Sequence, residues 1–89
     1  MVREHIRFTG NVQGVGFRFT CQQLATKLGI TGWVRNDPDG AVTGEFQGTP
    51  GDLEALLASL KMQRFIKIAY AERVSIPVQP NDTAFRMAN

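Results

Sequence analysis

One cysteine, Cys21, and one histidine, His5, are all that this 89-residue chain has of either residue. A single cysteine excludes an internal disulfide, so the fold must rest on packing, and such usage fits a reducing cytoplasm. One histidine with one cysteine makes no cluster at metal-ligand spacing, and no Ser-His-Asp set has a second supporting feature. The expectation is no metal and no cofactor. Apolar runs are short as well. None approaches the ~20 residues of a membrane span, and Arg3, Glu4 and His5 stand where a secretory signal would put apolar residues. Charge comes without blocks: ten basic against eight acidic residues leave a net +2, too mild and too dispersed to point to nucleic acid. Repeats, linkers and low-complexity stretches are lacking too. A chain this short has no room for a second core, so one domain over residues 1–89 is expected, and a monomer.

What the chain does have is patterning. A hydrophobic fraction of 43% suits a folded protein. From Val2 to Thr9, Ile6 and Phe8 alternate with His5, Arg7 and Thr9, which predicts a half-buried strand with His5 on its polar side. Phe17, Cys21, Leu24, Ala25 and Leu28 form one apolar stripe on a helix ending at Gly29. On that stripe Cys21 reads as a small core residue. Thr31–Asn36 and Ala41–Gly48 flank Asp37-Pro38-Asp39-Gly40, a hairpin in which the aspartates serve the turn rather than an acid/base pair. In the second arm Val42, Gly44 and Phe46 face one way and Thr43, Glu45 and Gln47 the other. Trp33 is set opposite Val34, and the pattern leaves open whether it covers core or the rim of a site.

Thr49-Pro50-Gly51-Asp52 signals a helix start, with Thr49 as cap, Pro50 in the first turn and Asp52 reaching back near the positive dipole end. Leu53, Leu56, Leu57 and Leu60 make its core stripe. Ile66, Ile68, Tyr70, Val74, Ile76 and Val78 share one parity and predict a strand, and Phe85 with Met87 a short last strand at an edge. The order predicts an α+β, ferredoxin-like split β-α-β sandwich: a mainly antiparallel sheet of four to five strands with two helices on one face. That fold serves enzymes and binding modules alike, so function must be read from the site.

The candidate site is Gly10 to Arg18, Gly-Asn-Val-Gln-Gly-Val-Gly-Phe-Arg. Glycine turns consecutive N–H groups inward and keeps Cβ atoms off a ligand, and the helix that follows adds unpaired amides and its positive dipole end. A tight turn without a ligand uses glycine as well, so the loop alone leaves both readings open. Arg18 adds weight to an anion. Its fork can clamp two oxygens of a phosphate-like group, and at a helix N-terminus it opposes the dipole by roughly 0.3–1 kcal/mol unless an anion lies between. Asn36 ends the next strand. Its amide can hold a water by two directional bonds but is too weak a base to deprotonate it. An asparagine before Asp-Pro is also an ordinary turn residue.

Gly10, Val12-Gln13-Gly14-Val15-Gly16-Phe17-Arg18, then Gly32-Trp33-Val34-Arg35-Asn36 and Asp39-Gly40 closely resemble the two signature segments of the acylphosphatases, in register and over nearly the whole chain. The resemblance implies hydrolysis of a carboxyl-phosphate anhydride to a carboxylate and inorganic phosphate, without metal or covalent intermediate. It implies that Arg18 binds the phosphate, that the backbone of Gln13, Gly14, Val15, Gly16, Phe17 and Arg18 forms the cradle, and that Asn36 orients the nucleophilic water. The substrate implied is a small acyl phosphate, with no nucleic acid and no membrane involved. An acyl phosphate carries an activated leaving group, so positioning plus preorganised donors can suffice without a strong acid.

The chain departs from the family pattern in three places. Asn11 stands where Lys or Arg is usual, which removes a charge near the cradle. Arg64–Ile68 is more apolar than a Gly/Pro loop, and Phe85–Asn89 is a softer finish that puts the packing of the last strand in question. Two rivals remain to be separated. Gly-Val-Gly-Phe-Arg-Phe superficially resembles the motif of RNA-recognition domains, but there it lies on a central strand and here in a loop. Acylphosphatase-like domains also occur inside larger carbamoyl-transfer proteins, where such a domain would be an accessory phosphate binder.

Overall fold

In the computed structural model, which describes residues 1–89, the alternating segment forms β1 (Val2–Asn11) and the cysteine-bearing stripe forms α1 (Phe17–Leu28). β2 (Thr31–Asn36), β3 (Val42–Gly48), α2 (Pro50–Lys61), β4 (Lys67–Ile76) and β5 (Phe85–Met87) follow. The strands make one sheet in the order β4-β1-β3-β2-β5. All neighbours are antiparallel except β2 and β5, which run parallel. α1 packs on β2 and β5 and α2 on β3, so both helices share one face, as the ferredoxin-like reading requires. No helix is long and apolar enough to cross a membrane.

The core lies between sheet and helices. Ile6 and Phe8 of β1, Val34 of β2 and Phe46 of β3 meet Phe17, Cys21 and Ala25 of α1 and the four leucines of α2. Burial pushes the Cys21 thiol pKa well above its ordinary value, so it stays protonated. α2 begins as expected with Pro50 in its first turn and Thr49 Oγ1 accepting the Asp52 amide at 3.1 Å. The expected reach of the Asp52 side chain back to Thr49 is not among its hydrogen bonds, so only half of a capping box forms.

Two sequence expectations change. β1 continues past Thr9 to pair Gly10 with Ile68 and Asn11 with Lys67, and the register slips there by a bulge. A bulge sends residues on its two sides to opposite faces. Ile66 is therefore buried and Ile68 packs against the core, whereas Tyr70 and Val74 are 63% and 52% exposed on the open face. One shared parity does not carry through this strand. Secondly, Thr43 and Gln47 are buried although they lie on the polar side of β3. The crossing from β4 to β5 covers Gln47, whose Nε2 donates to the Gln79 carbonyl at 3.0 Å and whose Oε1 accepts from Gln79 N at 2.7 Å, whereas the Thr43 hydroxyl donates to Asp37 of the hairpin. Arg3, only 4% exposed, is held beneath the same crossing by Glu45 and Asp82. β3 stands between β1 and β2, so Asn36 approaches the loop after β1 across an intervening strand.

Candidate active site

The two sequence segments meet at one end of the sheet. Val12, buried, anchors the chain as it leaves β1. Gly14 and Gly16 then take φ of 74° and 77°, left-handed values that cost an L-residue roughly 1–2 kcal/mol. Phe17 opens α1 from within the core, its ring centroid 4.9 Å from that of Phe8. Gly16 caps the helix without a side chain, and the first turn has no acidic residue. The first backbone bond here runs from Thr20 N–H to the Gly16 carbonyl at 3.0 Å, so the amides from Gly14 to Phe19 have no acceptor in the protein. They form a row of donors at the positive end of the α1 dipole.

Two of the predicted cradle residues have side chains engaged elsewhere. The Val15 side chain packs back on the core. Gln13 Nε2 donates to the Asp37 and Ala41 carbonyls at 2.7 and 2.8 Å, which fastens the loop to the β2–β3 hairpin. That tie sets the distance between loop and Asn36, and a sequence pattern gives no sign of it.

Arg18 and Asn36 line one cleft of about 280 Å³ together with Gly14 and Gly16. Arg18, half-buried, donates from Nη1 to the Ala88 carbonyl at 3.4 Å, to Asn89 Oδ1 at 3.2 Å and to the backbone oxygen of Asn89. Asn89 joins the two site residues. Its Oδ1 also accepts the Asn36 amide at 3.3 Å, and its Nδ2 donates to the Asn36 carbonyl at 2.8 Å. Both contacts use Asn36 main chain, which leaves the Asn36 carboxamide available to a water. Phe85 is buried against Phe46, so the soft finish still packs and carries Asn89 to the cleft.

Sequence reasoning missed Asn89. The signal was topological: a last strand parallel to β2, with Met87 opposite Val34, must exit beside Asn36. Phe19 and Met87, exposed at the cleft, were also unassigned.

The other titratable candidates have different work. His5 lies on the open face with Nδ1 3.3 Å from Glu45 and its ring edge-on to Trp33, which in turn stacks under Arg35. Asp37 is held below its ordinary pKa first by the Thr43 hydroxyl and then by Arg35, and Asp39 by the Ala41 amide and Arg7. Both are ionised at neutral pH and serve the turn, with Asp39 Oδ1 accepting Ala41 N at 3.0 Å. Arg18 is thus the one ionisable side chain lining the cleft. This arrangement can bind an oxyanion by backbone and guanidinium donors and orient a neutral water. It has no side chain suited to general base catalysis.

Comparison with known proteins identifies the family. The acylphosphatase family model matches residues 4–87. An acylphosphatase of Thermococcus kodakarensis is 54% identical over 56 residues, 63% of this chain and 62% of that protein. One of Lactobacillus johnsonii is 42% identical over 80 residues, 90% of this chain and 87% of that protein. The crystal structure of acylphosphatase from Bacillus subtilis superposes with a TM-score of 0.91 at 29% identity, covering all of both chains (100% and 100%). The HypF structure from T. kodakarensis matches the whole chain (100%) at 30% identity and a TM-score of 0.86, but over only 12% of its own length. On the matched residues, the fold and these relatives, the chain belongs to the acylphosphatase family.

Proposed function

We propose that this chain hydrolyses acyl phosphates by attack of water at phosphorus, with Arg18 and the loop amides holding the phosphoryl group and Asn36 orienting the water. The observation that carries the reading is the shared cleft: unpaired amides, the Arg18 guanidinium and a free Asn36 carboxamide line one space. The water oxygen bonds to phosphorus as the bond from phosphorus to the carboxylate oxygen breaks. The leaving carboxylate is a weak base and departs without a proton. The water's proton passes to a phosphoryl oxygen of the substrate, which accounts for a site without a base. Fixed donors around the phosphoryl group cost no reorganisation as charge moves, and removal of one such donor typically costs 10²–10³ in rate. The lone buried thiol fits a reducing cytoplasm, and the small cleft fits a small-molecule substrate with inorganic phosphate as product.

The test is phosphate release from benzoyl phosphate without added metal. Wild type is expected to turn over, and Arg18→Ala to lose about 10²–10³ in kcat/KM while its affinity for inorganic phosphate falls in parallel. Undiminished phosphate affinity in Arg18→Ala contradicts the clamp. The HypF match, one segment of a much longer chain, motivates a second reading as an accessory phosphate-binding domain. Thermal protection by phosphate with no turnover would favour it.

A further inference from the structure

The phosphate-binding groups leave part of the cleft unaccounted for. Once Arg18, Asn36 and the loop are assigned, the exposed side chains remaining are Phe19 and Met87. They come from different elements, Phe19 from the first turn of α1 and Met87 from the last residue of β5, and they are 57% and 43% exposed. Exposed apolar side chains on two elements that converge on a ligand cleft gain by being covered. The charge pattern is equally selective. Arg18 is the only charged side chain lining the cleft, and the phosphoryl group occupies it, so a second carboxylate on the acyl half meets no cation there.

We infer that Phe19 and Met87 form the subsite for the acyl half and select acyl phosphates with an apolar, preferably aromatic, acyl group over small or carboxylate-bearing ones. This rests on the reading of Arg18 and Asn36 given above. Contact area against two half-exposed side chains is smaller than in a closed pocket, where one methylene discriminates by 10–200-fold, so the preference is expected at about tenfold.

The experiment compares kcat/KM for benzoyl, acetyl and succinyl phosphates in wild type, Phe19→Ala, Met87→Ala and the double variant, with inorganic phosphate inhibition measured for each. The expected result is a benzoyl-to-acetyl ratio of about ten in wild type, falling to about two in the double variant and partly restored by Phe19→Leu, with succinyl phosphate no better than acetyl. Substitution at exposed positions leaves the fold in place. A purely structural role would lower all three substrates together and leave the ratio standing. An unchanged ratio, or succinyl phosphate as the best substrate, overturns the inference while the phosphate site stands. Failure of wild type to hydrolyse any of the three, with no thermal protection by inorganic phosphate, removes both readings.

Discussion

Arg18 sits where a helix dipole disfavours it, and its only protein partners are oxygens of Ala88 and Asn89. The guanidinium is thereby steered from one side, leaving its other donors to a ligand. Asn89 does this while gripping both main-chain groups of Asn36, so one exposed carboxamide sets the spacing of Arg18 and Asn36. Asn89→Ala is expected to raise the phosphate inhibition constant about threefold to tenfold, the worth of one or two such bonds, with little change in Tm. Inhibition titrations alongside thermal melts check this. At the same scale Arg18 and Asn36 were legible because guanidinium and amide have distinctive chemistry beside a glycine loop. Asn89 was not, because a lone asparagine acquires its role only when the sheet brings it to the site.

Among the elements, α1, α2 and the hairpin were legible from periodicity and punctuation. Glycine at positive φ, Thr49 before Pro50 and an Asp-Gly turn each have one local solution. β4 was legible as a strand but not in its facing. The bulge that reverses it depends on Gly10 of β1, whose φ is 120° and where a Cβ would lie 2.3 Å from the Lys67 carbonyl oxygen. That constraint spans partners far apart in sequence, so alternation within β4 cannot reveal it. Gly10→Ala is therefore expected to destabilise the fold by about 3 kcal/mol in chemical denaturation. KM is expected to rise with it, because the bulge leads into the loop proposed to hold phosphate. Unchanged stability would mean that the register is not pinned there.

The molecule as a whole divides its sheet into two ends. One end presents the glycine loop, Arg18 and Asn36; the other is clamped by Arg3, Glu45, Gln47 and Asp82 beneath the β4–β5 crossing. Burial pushes the Asp82 pKa up, but Arg3 and Arg86 outweigh it and hold the carboxyl below its ordinary 3.8. Asp37 is likewise held below 3.8, chiefly by Thr43. A depressed native pKa means that the unfolded chain takes up protons first, so this stability is fully present well above pH 3.8 and is lost as pH falls through the native values. Unfolding free energy should be flat from pH 7 to about 5 and decline below about 4, and Asp82→Asn should remove part of that slope. The layered fold was legible in the order of elements. The clamp was not, since it forms only when a loop folds across polar residues that alternation assigns to solvent.

In the proposed division of labour the loop and Arg18 hold the phosphoryl group and Asn36 places the water. The most direct test is Asn36→Ala, read as kcat and as the inhibition constant for inorganic phosphate on the same preparation. The account predicts a fall of about a hundredfold in kcat with the phosphate constant within about twofold of wild type. A kcat that stays at the wild-type level, or a phosphate affinity that collapses with it, would contradict the account.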